Sequence, residues 1–287
     1  MKRFALIAAL LLVFASRAAA AISLVAIGSG ANSSFTTPGS LTCSATGLLP
    51  VLRNDLVIAD IEAGDGSGSA AIVVTPPTGW TVWPGMPNTN QKVATRTEYQ
   101  TLFYYYGPPR SVTFSVADGG TNTFSWNCNM WQFRGTKRDT PNDGNANGGI
   151  CQTGACTTVT APSVTASTGD ALVMFGGDGD HTVSSITGSP APTLGYNDNA
   201  GFAVRAAYIL GVSAGATTAY AFNATSSVMM EGAQVLIAAP AALSATVLFN
   251  SCASTGCSGT PRAKTWAYDP SAQTLKLDSG GAWATMP

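Results

Sequence analysis

Asp55-Leu56-Val57-Ile58-Ala59-Asp60-Ile61-Glu62 is a short apolar run with acids set into it, and Gly64, Gly66 and Gly68 follow close behind. Apolar and β-branched residues bounded by turn formers read as a β-strand, here Leu56–Glu62. A second run, Asp170-Ala171-Leu172-Val173, opens the same way. The likeness continues outward. Pro76, Gly79 and Trp80 match Pro192, Gly195 and Tyr196 at the offset that relates Leu56 to Leu172. After a shorter connection, Tyr104 and Gly107 match Tyr208 and Gly211, and Met130-Trp131-Gln132-Phe133 falls opposite Gln234-Val235-Leu236-Ile237. The chain therefore carries an internal duplication.

Other short runs are spaced about ten residues apart, the rhythm of a sandwich or barrel. They include Ile22–Gly28, Ala71–Thr75, Thr101–Tyr106, Val112–Val116, Asn122–Phe133, Ala203–Gly211, Met229–Ala238 and Ala245–Asn250. Helical periodicity is nearly absent after the first residues. The expected fold is all-β: a two-sheet, jelly-roll-like β-sandwich built from half-repeats at about 22–150 and 151–240. A small C-terminal β appendage is expected over 241–287. Trp80, Trp126, Phe133, Tyr196 and Tyr208 fall at positions that a sandwich core would use.

The N-terminus sets the expected compartment. Lys2 and Arg3 precede the apolar run Phe4–Phe14, and Ser16-Arg17-Ala18-Ala19-Ala20 supplies small residues for cleavage. This reads as a secretory signal peptide over residues 1–20. The run is shorter than the roughly 20 residues of a spanning helix, so no membrane span is expected after its removal. Losing Lys2, Arg3 and Arg17 leaves 11 of the 14 basic residues against 15 acidic ones. With no basic patch, nucleic acid is excluded as a partner. Charged residues make up only 10% of the chain. Such a polar but uncharged surface suits extracellular β-proteins and repetitive assemblies.

Six cysteines, Cys43, Cys128, Cys151, Cys156, Cys252 and Cys257, are expected to form disulfides in an oxidising setting. Cys151–Cys156 and Cys252–Cys257 share one spacing and read as clipped polar loops, which leaves Cys43 for Cys128. Zinc is the rival reading, but its sites favour closer cysteines and usually recruit His, and His181 is the one histidine.

The stretch Asn54-Asp55-Leu56-Val57-Ile58 … Pro76-Pro77-Thr78-Gly79-Trp80-Thr81 … Phe103-Tyr104-Tyr105-Tyr106 resembles a recurrent extracellular module of secreted bacterial and phage virion proteins. The module's usual form is "GD-L-L-V … PP-A-G-W-T … Y-Y-K" with a weaker second copy. Here Asn54 replaces the usual Gly, and no Lys follows the tyrosines. The resemblance covers about residues 22–240 and implies a jelly-roll-like sandwich used for attachment or structure. Lys264-Thr265-Trp266-Ala267-Tyr268-Asp269-Pro270 is similar to the endings of virion-type proteins.

Catalytic signals are weak. Nucleophilic triads need a base, and His181 sits alone among Gly176-Gly177-Asp178-Gly179-Asp180. It reads as part of an exposed hairpin loop. Glu231, in the apolar run after Val228-Met229-Met230, is a candidate perturbed acid but reads as solvated on an edge or outer face. Asp60, Glu62 and Asp65 are spaced to cluster near a loop, and Asp/Gly-rich turns explain them equally well. Oxygen donors are dense in Asp139-Thr140-Pro141-Asn142-Asp143-Gly144-Asn145 and Asp178-Gly179-Asp180, so calcium is the metal to consider if any is bound. Ordinary turns explain both loops. No catalytic residue, metal or cofactor is assigned.

Aromatic residues give the binding hypothesis, because sugars stack on flat rings. The candidates are Tyr104, Tyr105 and Tyr106 in one strand, with Trp83, Trp126 and Trp131. Trp83, Tyr104 and Tyr106 are taken as the site, and Tyr105 points to the face opposite Tyr104 and Tyr106. The expected function is an exported, non-catalytic adhesion or structural protein. Its expected partner is a cell-surface glycan, a cell-surface protein or copies of itself. A secreted carbohydrate-active enzyme, or the binding module of one, is the rival.

Overall fold

The computed structural model describes residues 21–36, 38–44, 48–65, 72–84, 86, 91–93, 96–107, 111–117, 123–138, 140–143, 147–178, 183–198, 203–240, 250–251, 266–269, 274–278 and 283–285. The expected signal peptide over residues 1–20, Asp139, Asp180, His181 and the expected Cys252–Cys257 pair lie outside the described residues. Every element among those described is a β-strand. The chain divides into two compact units, Met1–Ala241 and Ala242–Pro287.

The first unit contains two six-stranded sheets of matching topology. One is ordered β1 (Ser23–Thr36), β9 (Thr123–Arg134), β3 (Leu56–Asp65), β7 (Arg96–Tyr106) and β5 (Thr81–Val82), with β6 (Gln91–Val93) also on β7. The other is ordered β10 (Asn147–Ala161), β17 (Tyr220–Ile237), β12 (Ala171–Asp178), β15 (Ala203–Leu210) and β14 (Thr193–Asp198), with β13 (Val183–Thr187) on β17. Taken strand for strand, the second order repeats the first. Leu56 pairs with Tyr106 and Phe133, as Ala171 pairs with Leu210 and Ile237. The structure thus has the all-β fold and the internal duplication expected from the sequence.

The two sheets face each other. Leu56, Ile58, Leu102, Trp131 and Phe133 from the first share one core with Val173, Phe175, Ala206, Val235 and Ile237 from the second. The expected two-sheet sandwich is this central pair. Each sheet also has an outer cover, which the sequence reading did not include. Val57, Ala59, Ile61 and Ala63 point away from the shared core. They are covered by a small sheet of β2 (Gly39–Ser44), β8 (Ser111–Ala117) and β4 (Val73–Thr75). On the far side, Leu172, Met174 and Leu236 pack with Tyr220, Phe222 and Val164. The ribbon β11 (Thr165–Ala166) and β16 (Gly215–Ala216) lies in that region of the chain and supplies Ala166 to the same cluster. Strands β3 and β12 are apolar on both faces because both faces are covered. Burying each apolar side chain contributes about 1.5–3 kcal/mol, so neither face can be left open without a large loss.

The repeat alignment needs two corrections. Strand pairing puts Leu56 at the place of Ala171, not of Leu172. Tyr196 pairs with Ala206, and in the first copy the residue at the place of Ala206 is Leu102, whose carbonyl accepts from Trp83 N. Tyr196 is therefore the counterpart of Trp83, not of Trp80. A register irregularity between Leu194 and Tyr196 accounts for part of the shift.

Two disulfides are present among the described residues. Cys43 of β2 and Cys128 of β9 join the small sheet to the first large sheet, with Cα atoms 5.8 Å apart. Cys151 and Cys156 both lie within β10 with Cα atoms 6.1 Å apart. Cys151 pairs with Met230 and Cys156 with Val228, so the clip closes a bulge in a long strand. The segment read as a free loop is thus an insertion within a strand. The two bridges point to an oxidising compartment. No described helix is long and apolar enough to cross a membrane.

The second unit holds a four-stranded sheet, β18 (Asn250–Ser251), β19 (Trp266–Asp269), β20 (Thr274–Asp278) and β21 (Trp283–Thr285). The first two pair in parallel and the rest antiparallel.

Candidate functional site

Strand alternation separates the three tyrosines as the sequence implies. Tyr104 and Tyr106 pack on the shared inter-sheet core, and Tyr105 on the opposite face. Trp83 stands differently from expectation, with no exposed surface. Its ring meets Tyr104 edge-on at 5.6 Å, and Tyr104 meets Tyr106 edge-on at 6.4 Å. The Tyr106 hydroxyl donates to the Lys137 carbonyl. Trp83, Tyr104 and Tyr106 thus form a ladder of rings, with Trp83 buried and the two tyrosines half-buried. An indole with no exposed face cannot stack on a sugar, so Trp83 is corrected from a platform residue to a core residue.

A concave feature lies on the other face. A groove of about 520 Å³ is lined by Pro77, Thr78, Trp80, Tyr105, Ser111, Val112 and Thr113. Local sequence builds it. Trp80 N donates to the Pro77 carbonyl at 3.2 Å, closing a turn whose third residue is Gly79 with φ of 93°. Positive φ at that place is the signature of a type II turn and favours Gly. The absent side chain has a second use. A Cβ on Gly79 would stand 2.7 Å from Tyr105 Cε2, so the tyrosine ring lies directly on the turn. Trp80 backs it at 5.7 Å, tilted 34°, and Phe114 braces Trp80 edge-on at 5.8 Å. The outcome is a fixed aromatic floor beside the exposed Thr78, Ser111 and Thr113. No charged residue is among the groove's described lining. The sequence offers Tyr105 among the aromatic candidates but reads Trp80 as a core residue, although the Pro-Pro-Thr-Gly-Trp turn marks its place.

The acids form a separate, interior cluster. Asp60, Glu62 and Glu231 are buried, which corrects their reading as solvated or turn residues. Asp60 and Glu62 lie two apart on β3, on the face that carries Leu56 and Ile58. Glu231 alternates with Ala233, Val235 and Ile237 on β17. Asn129 Nδ2 donates to Asp60 Oδ2 at 2.8 Å, and Gln100 Nε2 donates to Glu62 Oε1 at 2.7 Å. Trp131 Nε1 donates to Asn129 Oδ1. From the second sheet, Asp198 Oδ2 accepts from Asn127 Nδ2 at 3.2 Å and from the Tyr196 hydroxyl at 3.3 Å. Burial pushes the Asp60 carboxyl up to about 7, against the hydrogen bonds from Asn129 and Gln100. Burial, followed by Asp198, pushes the Tyr196 phenol up as well.

Of the two oxygen-rich loops, Asp178 is buried at the end of β12. Asp143 lies where the chain meets the end of β17, its amide donating to the Leu236 carbonyl at 3.3 Å. No group of three or more His, Cys, Asp or Glu suited to a metal ion occurs among the described residues.

Comparison with known proteins is sparse. No known family matches the chain, and no curated protein matches it. Among solved structures, similarity reaches Cucumber Necrosis Virus at 10% identity and TM-score 0.22, covering 78% of this chain and 89% of that one. The 11S allergen from Cocos nucifera L. is 8% identical with TM-score 0.18, covering 78% and 91%. The Fcho1 Mu homology domain of Danio rerio, with bound Eps15 peptide, is 8% identical with TM-score 0.16, covering 78% and 82%. Superpositions this loose carry no argument about this chain.

Proposed function

We propose that the protein is an exported, non-catalytic attachment or structural protein that holds a neutral glycan in the groove floored by Tyr105 and Trp80. The groove carries the reading. Its floor is aromatic, its rim is hydroxylated, and its described lining is uncharged. Rings offer stacking area to the apolar face of a sugar, and hydroxyls exchange hydrogen bonds with its edge. Among the described lining residues a charged ligand would find no counter-charge. Tyr105 is held in place before any ligand arrives, so little side-chain entropy is lost on binding. A single shallow groove binds weakly, and repeated copies on a surface would supply the avidity.

The rival reading, a carbohydrate-active enzyme, draws on Asp60 and Glu62. Both have no exposed surface and lie between packed sheets. A sugar would have to part those sheets to reach them, which favours binding over hydrolysis.

The test is a glycan array and whole-cell binding with the mature chain, beside the Ser111→Arg variant. Ser111 is exposed, so the arginine fills the groove without disturbing the core. Binding that survives in Ser111→Arg removes the groove from the reading. Absence of binding in both proteins, with filaments or particles under the electron microscope, leaves a structural role alone.

A further inference from the structure

The inter-sheet acids pose a problem of charge. Asp60, Glu62 and Glu231 are buried in the sheet pair, and no lysine or arginine is among the described buried residues. A buried carboxylate must be paired, hold a metal ion, or be neutral. Among the described residues, the groups near Asp60 are acids, phenols and amides. Glu62 shares its strand, Tyr196 and Asp198 approach on β14, Glu231 stands on β17, and Asn129 and Gln100 donate from β9 and β7. Tyr99 lies on the other face of β7 and feels Glu231. The nearest described arginine on the second sheet, Arg205, is committed to Asn197 Oδ1 at 3.0 Å and to the Ser184 carbonyl. Asp60 Oδ1 has no hydrogen-bond partner among the described residues, so no donor there stabilises a charged carboxylate.

We infer that Asp60, beside the bonds that join the two central sheets at this end, is a carboxyl kept neutral by its own proton, so that the pair tightens in acid and loosens toward neutral pH. The joint spans the interface, because Asn127 of the first sheet bonds Asp198 and Tyr196 of the second beside it. Burial supports this by raising Asp60 to about 7 from an ordinary 3.8. With the folded value above the unfolded one, the stabilisation is full below about 4 and is lost as pH rises to about 7. Within that window one extra proton on the folded form raises the unfolding constant about tenfold per pH unit. This is independent of the groove.

The experiment follows denaturant unfolding of the full mature chain between pH 4 and pH 8.5, beside Asp60→Asn. The wild type is expected to lose stability with rising pH more steeply than the variant, by about tenfold in the unfolding constant per pH unit between the two values. Carboxyl NMR of the wild-type chain reads the same group directly and needs no variant that folds. A midpoint near neutrality supports the inference, and a midpoint in the ordinary aspartate range overturns it. Equal slopes in the two proteins overturn it as well. Millimolar calcium that restores wild-type stability at pH 8, and does not act on Asp60→Asn, would overturn it in favour of a cation.

Discussion

Asp55 and Asp170 occupy the same place in the two copies, yet only Asp55 has an arginine. Each closes a turn before a doubly buried strand and accepts the amide three residues back, Leu52 N at 2.9 Å and Ser167 N at 2.8 Å. Asp55 then takes Nε and Nη2 of Arg134 at 2.8 Å each, and Gln132 Nε2 at 2.7 Å. Asp170 takes the Ala239 amide at 2.9 Å and has the Asp143 carboxyl beside it. Burial pushes Asp55 up, but the bonds from Arg134, Leu52 and Gln132 outweigh it and hold its carboxyl below the usual range. Burial and Asp143 instead push Asp170 up to about 6. Duplication kept the turn and let the charge partner diverge.

Asp55→Ala is expected to lower stability by about 2–4 kcal/mol, since it leaves a buried amide donor without its acceptor and strips Arg134 of its partner. Urea unfolding at pH 7 measures this. The depressed value sets the sign with pH. The contribution of Asp55 is present above about 4 and fades as pH falls through its folded value, so the variant's deficit should shrink in acid.

Asp143→Asn removes the acid beside Asp170. The Asp170 midpoint should fall from about 6 toward the ordinary aspartate value, as read by carboxyl NMR. Stability lost between about pH 4 and pH 6 in the wild type should then shrink in the variant. An unmoved midpoint would show that burial alone raises Asp170.

Replacing both Cys43 and Cys128 with Ala should cost about 4–5 kcal/mol on the chain-entropy scale, since the bridge spans 85 residues. The same change at Cys151 and Cys156, five residues apart, should cost about 2 kcal/mol. Denaturant midpoints of the two double variants rank them.

Gly176 and Gly232 are cross-strand partners, and the Phe222 ring lies across both. A methyl at either position would overlap that ring. Gly176→Ala should therefore cost about 1–3 kcal/mol from overpacking. Adding Phe222→Leu should recover part of the loss, and a double-mutant cycle in urea checks the coupling.

Much of the fold was legible in local pattern. Short apolar runs between turn formers mark Leu56–Glu62 and Ala171–Gly176 as strands, and the structure extends them to Asp65 and Asp178. The second offset of the repeat placed Tyr104 over Tyr208 and Phe133 over Ile237, and strand pairing places them the same way. Cys43 joins Cys128, as the leftover pair required. The candidate site was less legible. Alternation told that Tyr104 and Tyr105 face opposite ways, but nothing local told which way was inside.

The sequence by itself determined the strands, the duplication and the alternation of side chains, because each follows from backbone geometry over a few residues. The tertiary structure decided what covers each face. The second sheet enclosed Trp83 and surrounded Asp60 and Glu62, and Tyr105 was left at a groove beside Ser111 and Thr113. Exposure and proton affinity depend on atoms distant along the chain, so no window of sequence contains them.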